Sequence, residues 1–219
     1  MLDVARVLEG TVRRDGNRVR ITTELIDAET DRTLWSDSFD RDLTDIFAIQ
    51  SEIAQTVVAK LSARLSPEEK SDIQEKPTEN LVSYDLYLQA KTSITNSLFS
   101  TDAGDNGQHG FLDAIALLEQ ATRLDSTFAL AYCQIAKADD WLYSLHLDDS
   151  PKRRMDGDSA VNEALRLKPN LPETHLAAAF HLYTCYRDYQ GARVHIAIAE
   201  RALPNSAEAI ALVGYLDRR

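Results

Sequence analysis

The side chains that could perform acid–base chemistry are two adjacent carboxylate pairs, Asp139-Asp140 and Asp148-Asp149. Paired carboxylates act as general acid and base when their surroundings separate their pKa values. Both pairs lie in or beside segments with helical periodicity, which favours solvated helix faces or caps. The sequence also lacks GxSxG, P-loop, GxGxxG and HExxH motifs. We therefore expect no catalytic residue in this chain.

Metal ligation is the second chemistry that these residue types allow. The histidines include His175, His181 and His195, but no two histidines have the i, i+4 spacing of a helical metal site, and no cysteine joins a histidine pair. Cys133 and Cys185 each lie inside an apolar helical pattern, which favours buried thiols over a disulfide. The sequence predicts neither a metal site nor a cofactor.

The segment from Asp102 to Gly107 resembles the start of a calcium-binding loop, with Asp113 at the closing position. Its second ligand position is Gly104, and it closes on Asp rather than Glu. Few carboxylates remain for a cation that binds roughly six to eight oxygens. A plain polar linker between two helices, spanning Gly104 to Gly110, is the favoured interpretation.

Composition limits the classes of protein and partner. The chain has 219 residues, of which 44% are apolar and 27% charged, enough to bury one large core or two small ones. Its net charge of −11, with basic residues interspersed among carboxylates, disfavours a nucleic-acid partner. No apolar run is long enough to span a membrane, and MLDVARVLEG is unlike a signal peptide. We expect a cytoplasmic protein.

The first 66 residues carry strand patterns followed by a helical one. Val19, Ile21, Thr23 and Leu25 alternate with polar residues, as in a strand with one buried face. Further strands are predicted at Val7 to Val12 and Thr33 to Phe39, with Asp15-Gly16-Asn17 as a hairpin turn. From Thr44 the apolar period changes to three and four residues, which predicts a helix running to about Ser66-Pro67 and covering one face of a three-stranded antiparallel meander.

The segment LEGTVRRDGNRVRITTELIDAETDRTLWSDSFDRDLTDIFAIQSEIA, residues 8–54, resembles the C-terminal half of the TolB N-terminal-like domain. The resemblance implies a bacterial signalling protein, because such domains lie between an output domain and tetratricopeptide repeats in class III nucleotide cyclases and winged-helix regulators. The front half of that domain has no counterpart here, so we expect the chain to be a fragment.

A repeated pattern of small and branched apolar residues occupies the rest of the chain. It recurs at Ala114 to Ala121, Gly157 to Ala164 and Ala192 to Ala199, each followed five residues later by Ser126, Pro169 or Pro204. The steps between the repeats are therefore 43 and 35 residues, and an insertion of about nine residues at 146–154 accounts for the longer one.

A second register supports the repeat. Tyr132, His175 and Ile210 each precede an apolar–small pair. Together the two registers resemble tetratricopeptide repeats, which pack as helix pairs. We predict a linker at 67–78, then an all-α superhelical array at 79–219 that makes the whole chain mainly α. Its helices are expected at about 79–98, 109–124, 127–146, 154–167, 171–187, 189–203 and 205–217, giving three pairs and a final helix.

The resemblance implies a concave face formed by the first helix of each pair, where a partner polypeptide binds. Opposite the packing positions, these helices carry Cys133, Lys137, Trp141, Leu176, Phe180, Tyr183 and Tyr215. Aromatic and basic residues dominate binding hot spots, although aromatic residues at helical spacing also pack in cores.

Three functions remain open at the sequence level. The leading one is a non-catalytic scaffold or regulatory segment that binds a protein or peptide. The second is the C-terminal regulatory part of a class III nucleotide cyclase with an upstream catalytic domain. The third is homodimerisation through the sheet edge and the final helix.

Overall fold

The computed structural model describes residues 4–61, 73, 75–99 and 105–219. The chain divides into two compact units, Met1–Lys76 and Pro77–Arg219. The first contains a β-sheet and a helix, and the second is helical. The predicted α+β beginning followed by a mainly helical remainder is confirmed.

Three antiparallel strands form the sheet of the first unit, in the order β1-β2-β3. They are β1 (Arg6–Asp15), β2 (Arg18–Asp27) and β3 (Arg32–Asp42). Gly16, with φ of 57°, makes the turn between β1 and β2, a backbone conformation that glycine adopts at little cost. The meander predicted from the alternating residues is therefore present.

The core of this unit lies between β2, β3 and α1 (Ile46–Lys60). Val19 and Ile21 of β2 pack with Phe39 of β3 and Ile49 of α1. All ten residues of β1 are exposed, so the expectation that one helix covers a whole face of the sheet is wrong for that strand. Among the described residues, the buried core beside α1 is formed by side chains of β2 and β3. The predicted helix end near Ser66-Pro67 lies outside the described residues.

The second unit consists of antiparallel helix pairs. Its helices are α2 (Leu81–Phe99), α3 (Asp105–Leu124), α4 (Ala129–Ser144), α5 (Pro151–Leu167), α6 (Pro172–His181), α7 (Tyr189–Ala202) and α8 (Ala207–Leu216). The pairs are α2 with α3, α4 with α5 and α6 with α7, while α8 packs on α7. None of the described helices is long and apolar enough to cross a membrane.

The repeated small residues lie where neighbouring helices meet. Ala114 and Ala121 of α3, Ala164 of α5, and Ala192 and Ala199 of α7 are all fully buried. Small side chains at these positions let helix backbones approach closely. The repeated small residues therefore lie on the second helix of each pair, as predicted.

Two helices begin at least three residues before their predicted starts. Helix α3 begins at Asp105, so most of the predicted Gly104 to Gly110 linker is helical, and Gly107 is not at a calcium-loop turn; residues 100–104 lie outside the described part. Helix α5 begins at Pro151 rather than near 154, because the Ser150 hydroxyl accepts the Arg153 N–H and proline suits the first helical position.

Candidate functional site

A groove with a volume of about 350 Å³ opens on the side of the array formed by α2, α4, α6 and α8. These are the first helices of the three pairs and the final helix. The residues that line the groove are Lys91, Ile94, Thr95, Leu98, Phe99, Cys133, Gln134, Lys137, Trp141, Glu173, Leu176, Ala177, Phe180, Ala207, Glu208, Ala211, Leu212 and Tyr215. Every one of them belongs to α2, α4, α6 or α8.

Six of the seven residues expected on the concave face line this groove: Cys133, Lys137, Trp141, Leu176, Phe180 and Tyr215. Tyr183 is not among the lining residues. It follows the end of α6, and its ring stacks on Tyr215 with centroids 6.0 Å apart. Phe99, which was not among the residues predicted for the concave face, lies at the end of α2 with 82% of its surface exposed.

The floor of the groove is aromatic and its edge carries charges of both signs. The Trp141 and Phe180 rings contact each other with centroids 5.0 Å apart and planes tilted by 49°. The buried indole Nε1 of Trp141 has no hydrogen-bond partner among the described residues. Lys137 pairs with Glu208 across α4 and α8. Burial raises the pKa of the Cys133 thiol to about 12, so this groove cysteine stays protonated and unreactive.

The adjacent carboxylates Asp139 and Asp140 lie inside the helical unit, and the prediction that they are solvated is wrong. Each is 1% exposed. Asp139 accepts a hydrogen bond from Arg153 of α5 at 2.6 Å, and Arg153 also contacts Asp148 at 3.0 Å. Burial raises the pKa of Asp139 to about 7, although Arg153 opposes the shift. The prediction of caps at Asp148-Asp149 agrees better with the structure, since Asp148 accepts a hydrogen bond from the Ser150 N–H, just before α5.

Asp140 belongs to a second polar group, centred on the buried His181, the last residue of α6. His181 Nδ1 lies 2.6 Å from Asp140 Oδ1, and its Nε2 lies 2.9 Å from Asp158 Oδ1 of α5. The Cys185 thiol donates to Asp140 Oδ1 at 3.2 Å, and the Tyr186 hydroxyl donates to Asp158 Oδ2 at 2.6 Å. We call Asp140, Asp158, His181, Cys185 and Tyr186 the His181 cluster.

Electrostatics keep a proton on the His181 ring. Burial alone lowers the pKa of a histidine, but here the carboxylates of Asp140 and Asp158 outweigh it and raise the pKa of His181 to about 11. Burial raises the pKa of Asp140. The imidazolium is therefore the compensating charge for a carboxylate that would otherwise be buried alone.

Two local features of the backbone make the His181 cluster possible. Gly157 of α5 lies so close that an added Cβ would be 3.0 Å from His181 Cε1 and 3.3 Å from Asp140 Oδ1. After His181 the helix widens into a π-helical turn, Leu182–Tyr186, that ends at Arg187 with φ of 53°. The prediction of an α-helix through residue 187 is wrong at this turn, which carries both Cys185 and Tyr186.

A separate pair is formed by His175 and His195, the other two histidines that were considered as metal ligands. His175 Nδ1 and His195 Nδ1 lie 2.9 Å apart, and His175 Nε2 lies 2.9 Å from the Pro169 carbonyl oxygen. Burial, together with the charge that His175 can carry, lowers the pKa of His195. One ring donates and the other accepts, so the pair holds α6 against α7.

Comparison with known proteins gives one link to a function. No family model matches the chain. The chain is 38% identical over 104 residues to a protein of Rhizobium meliloti (strain 1021) named "Putative adenylate cyclase 3". This match covers 47% of the chain but only 18% of the relative's length. The chain is thus similar to a segment of a cyclase-related protein, and its paired helices are compatible with tetratricopeptide-like repeats.

Proposed function

We propose that this chain is a non-catalytic protein-interaction segment of an adenylate cyclase-related signalling protein, and that it binds an amphipathic helix of a partner polypeptide in the groove. The observation that carries this proposal is the groove itself, to which α2, α4, α6 and α8 each contribute apolar side chains. An amphipathic helix buries its apolar side in such a groove and leaves its polar side in water.

The chemistry of the groove supports a polypeptide occupant. Trp141 and Phe180 form a half-buried aromatic floor, which suits large apolar side chains. Phe99 is 82% exposed beside them, an arrangement that leaves apolar surface for a partner to cover. Lys91 and Glu173 line the same groove, so its edge can pair with charges of either sign on the partner helix.

The link to a cyclase rests on the Rhizobium meliloti relative. In this proposal the cyclase catalytic domain lies upstream of Met1 in the gene, and the helical unit regulates it by holding the partner. Sequencing the gene upstream of Met1 tests this part directly. A winged-helix domain there would replace the cyclase by a transcriptional regulator, and no output domain would leave a stand-alone scaffold.

The groove is tested by photocrosslinking in cells. A photoreactive amino acid replaces Phe99 in the groove in one strain and Met155 of α5 in a control strain; Met155 is 63% exposed and outside the groove. The expected result is a partner polypeptide crosslinked at position 99 and absent at position 155. Mass spectrometry of the crosslinked peptide then identifies the segment that binds.

The identified segment is titrated into purified chain variants. Loss of a hot-spot side chain costs about 2 kcal/mol, or roughly 30-fold in affinity. We expect losses of that order for Trp141→Ala and Phe180→Ala, and no loss for Met155→Ala. Unchanged capture of the partner by the Trp141→Ala and Phe180→Ala variants would refute the groove proposal.

Self-association is a second candidate, favoured by β1. All ten residues of that strand are exposed, including Val12 at 69%, and its outer edge pairs with no strand among the described residues. Open strand edges pair readily with another chain. Light scattering at high concentration should then give the mass of a dimer, and a monomeric mass would exclude this candidate.

A further inference from the structure

We propose that Asp140, His181 and Cys185 form a binding site for one divalent transition-metal ion with zinc-like ligand preferences. This inference is independent of the groove and of the cyclase link. A carboxylate oxygen, His181 Nδ1 or Nε2 and Cys185 Sγ all lie within 4.8 Å of one another. The residues are 1%, 3% and 7% exposed, respectively, so a bound ion would be shielded from bulk water.

The donor set fits zinc and its close analogues. Zinc binds imidazole nitrogen, thiolate sulfur and carboxylate oxygen at about 2.0 to 2.3 Å, whereas calcium and magnesium prefer oxygen alone. Asp140 Oδ1 lies 2.6 Å from His181 Nδ1 and 3.2 Å from Cys185 Sγ. The three donors therefore lie close enough together, between α4 and the π-helical turn, to bind one ion.

The second oxygen of Asp140 points independently to a ligand. Asp140 Oδ2 is buried and has no hydrogen-bond partner among the described residues. An unsatisfied oxygen on a buried carboxylate is costly, and a cation removes that cost. Asp139 Oδ2 also lacks a partner among the described residues, but Asp139 faces the cation of Arg153. The imidazole and thiol donors lie beside Asp140 and not beside Asp139.

The far side of the His181 ring has the partner that metal-binding histidines usually have. Nε2 lies 2.9 Å from Asp158 Oδ1, and Asp158 Oδ2 accepts the Tyr186 hydroxyl at 2.6 Å. Such a carboxylate orients the ring and makes its other nitrogen a better ligand. Cys185 lies in the π-helical turn, and π-helical turns occur frequently at functional sites.

Binding releases protons in a defined number. The ion replaces the proton on His181 Nδ1 and the proton on Cys185 Sγ, while Asp140 binds as a carboxylate and the Nε2 proton stays on the hydrogen bond to Asp158. Two protons therefore leave for each divalent ion, and the net charge of the cluster is unchanged. The apparent affinity should rise with pH, because protons and metal compete for the same atoms.

The test uses the full chain, reduced and stripped of metal, titrated with Zn²⁺ against a chromophoric chelator and with Co²⁺ in an absorption spectrometer. We expect one ion per chain and a thiolate-to-cobalt charge-transfer band. Cys185→Ser should abolish the band, and Cys133→Ser, the matched control in the groove, should keep it. Asp158→Asn should weaken binding about 10- to 100-fold, as loss of an orienting partner does.

Three results would overturn the proposal: no saturable Zn²⁺ binding to the wild-type chain, a cobalt band that survives Cys185→Ser, or binding that only His195→Gln abolishes, which would place the ion at the His175–His195 pair. A measurement without variants covers the case in which Cys185→Ser does not fold. Zn²⁺ should slow alkylation of Cys185, mapped by mass spectrometry, and leave that of Cys133 unchanged; equal rates with and without Zn²⁺ would refute the site.

Discussion

Helices α4 and α6 present two different chemistries on two sides. Trp141 and Phe180 contact each other in the groove, and their sequence neighbours Asp140 and His181 contact each other in the His181 cluster. Trp141 and Phe180 are half-buried and apolar, whereas Asp140 and His181 are buried and charged. Residues one position apart therefore have different surroundings. In our proposal the groove residues bind a partner, whereas the cluster residues link α4, α5 and α6.

The largest expected effect is the loss of stability when the cluster loses its cation. His181→Ala leaves Asp140 as an uncompensated buried charge, which costs about 3 to 5 kcal/mol in the free energy of unfolding. Phe180→Ala, at the adjacent position, removes a half-buried ring and should cost less. Urea denaturation of both variants measures the difference. Equal losses would show that the two sides do not differ in the way the structure indicates.

The contribution of His181 should also depend on pH in one direction. Its pKa in the folded chain is about 11, above the ordinary value of 6.5, so the folded state holds this proton more tightly than the unfolded state. The stabilisation is complete below pH 6.5 and declines as the pH rises toward 11. Wild-type and His181→Gln unfolding free energies, measured without metal across that range, should therefore converge at alkaline pH.

Arg153→Met should give the next largest effect, and acid should relieve it. The substitution removes the cation that faces Asp139, at a cost of about 1 to 3 kcal/mol for an unsatisfied buried group. The pKa of Asp139 is about 7 even with Arg153 present, so the carboxyl becomes neutral as the pH falls. We expect a clear loss of stability at pH 8 relative to the wild type and a smaller one at pH 5. A larger loss at pH 5 would contradict this.

The groove could be predicted from the sequence more fully than the His181 cluster. The concave side followed from helical period and small residues, which fix the face on which Trp141 and Phe180 lie. The cluster did not, because a carboxylate pair in a helix is usually solvated, and Asp140 meets a partner 41 positions away. The one local signal was the i, i+4 spacing of His181 and Cys185, which a search for histidine pairs alone overlooks.

Tyr183 marks the limit of the periodicity argument. Counting around an α-helix assigns it to the same side as Phe180, but the α-helix ends at His181 and a π-helical turn follows. The wider turn rotates the residues after it, and Tyr183 meets Tyr189 and Tyr215 instead. The meander shows a similar limit, since alternation identified the buried side of β2 but not that α1 leaves β1 exposed.

Smaller effects on stability are expected at two helical glycines, where substitution by alanine should stabilise the chain at one position and destabilise it at the other. Alanine at an open helical position is more stable than glycine by about 0.5 to 1 kcal/mol. Gly214 of α8 has no atom within 4 Å of an added Cβ, so Gly214→Ala should stabilise the chain. Gly157→Ala should destabilise it by about 1 kcal/mol, because His181 is fixed between two carboxylates and has no room to yield. Thermal unfolding of both variants measures the sign of each change in stability. Stabilisation by both substitutions would show that His181 can move to make room for the added Cβ.

The smallest effect on stability is expected at the charged edge of the groove. Lys137 and Glu208 form an ion pair with 20% and 58% of their side chains exposed, and such pairs contribute about 0.2 to 1 kcal/mol and weaken in salt. Lys137→Met should therefore change the free energy of unfolding by less than 1 kcal/mol. Lys137 nevertheless lines the groove, so the same substitution should alter the salt dependence of partner binding. A stability loss as large as that of His181→Ala would mean that the groove residues, like those of the cluster, hold the helices together.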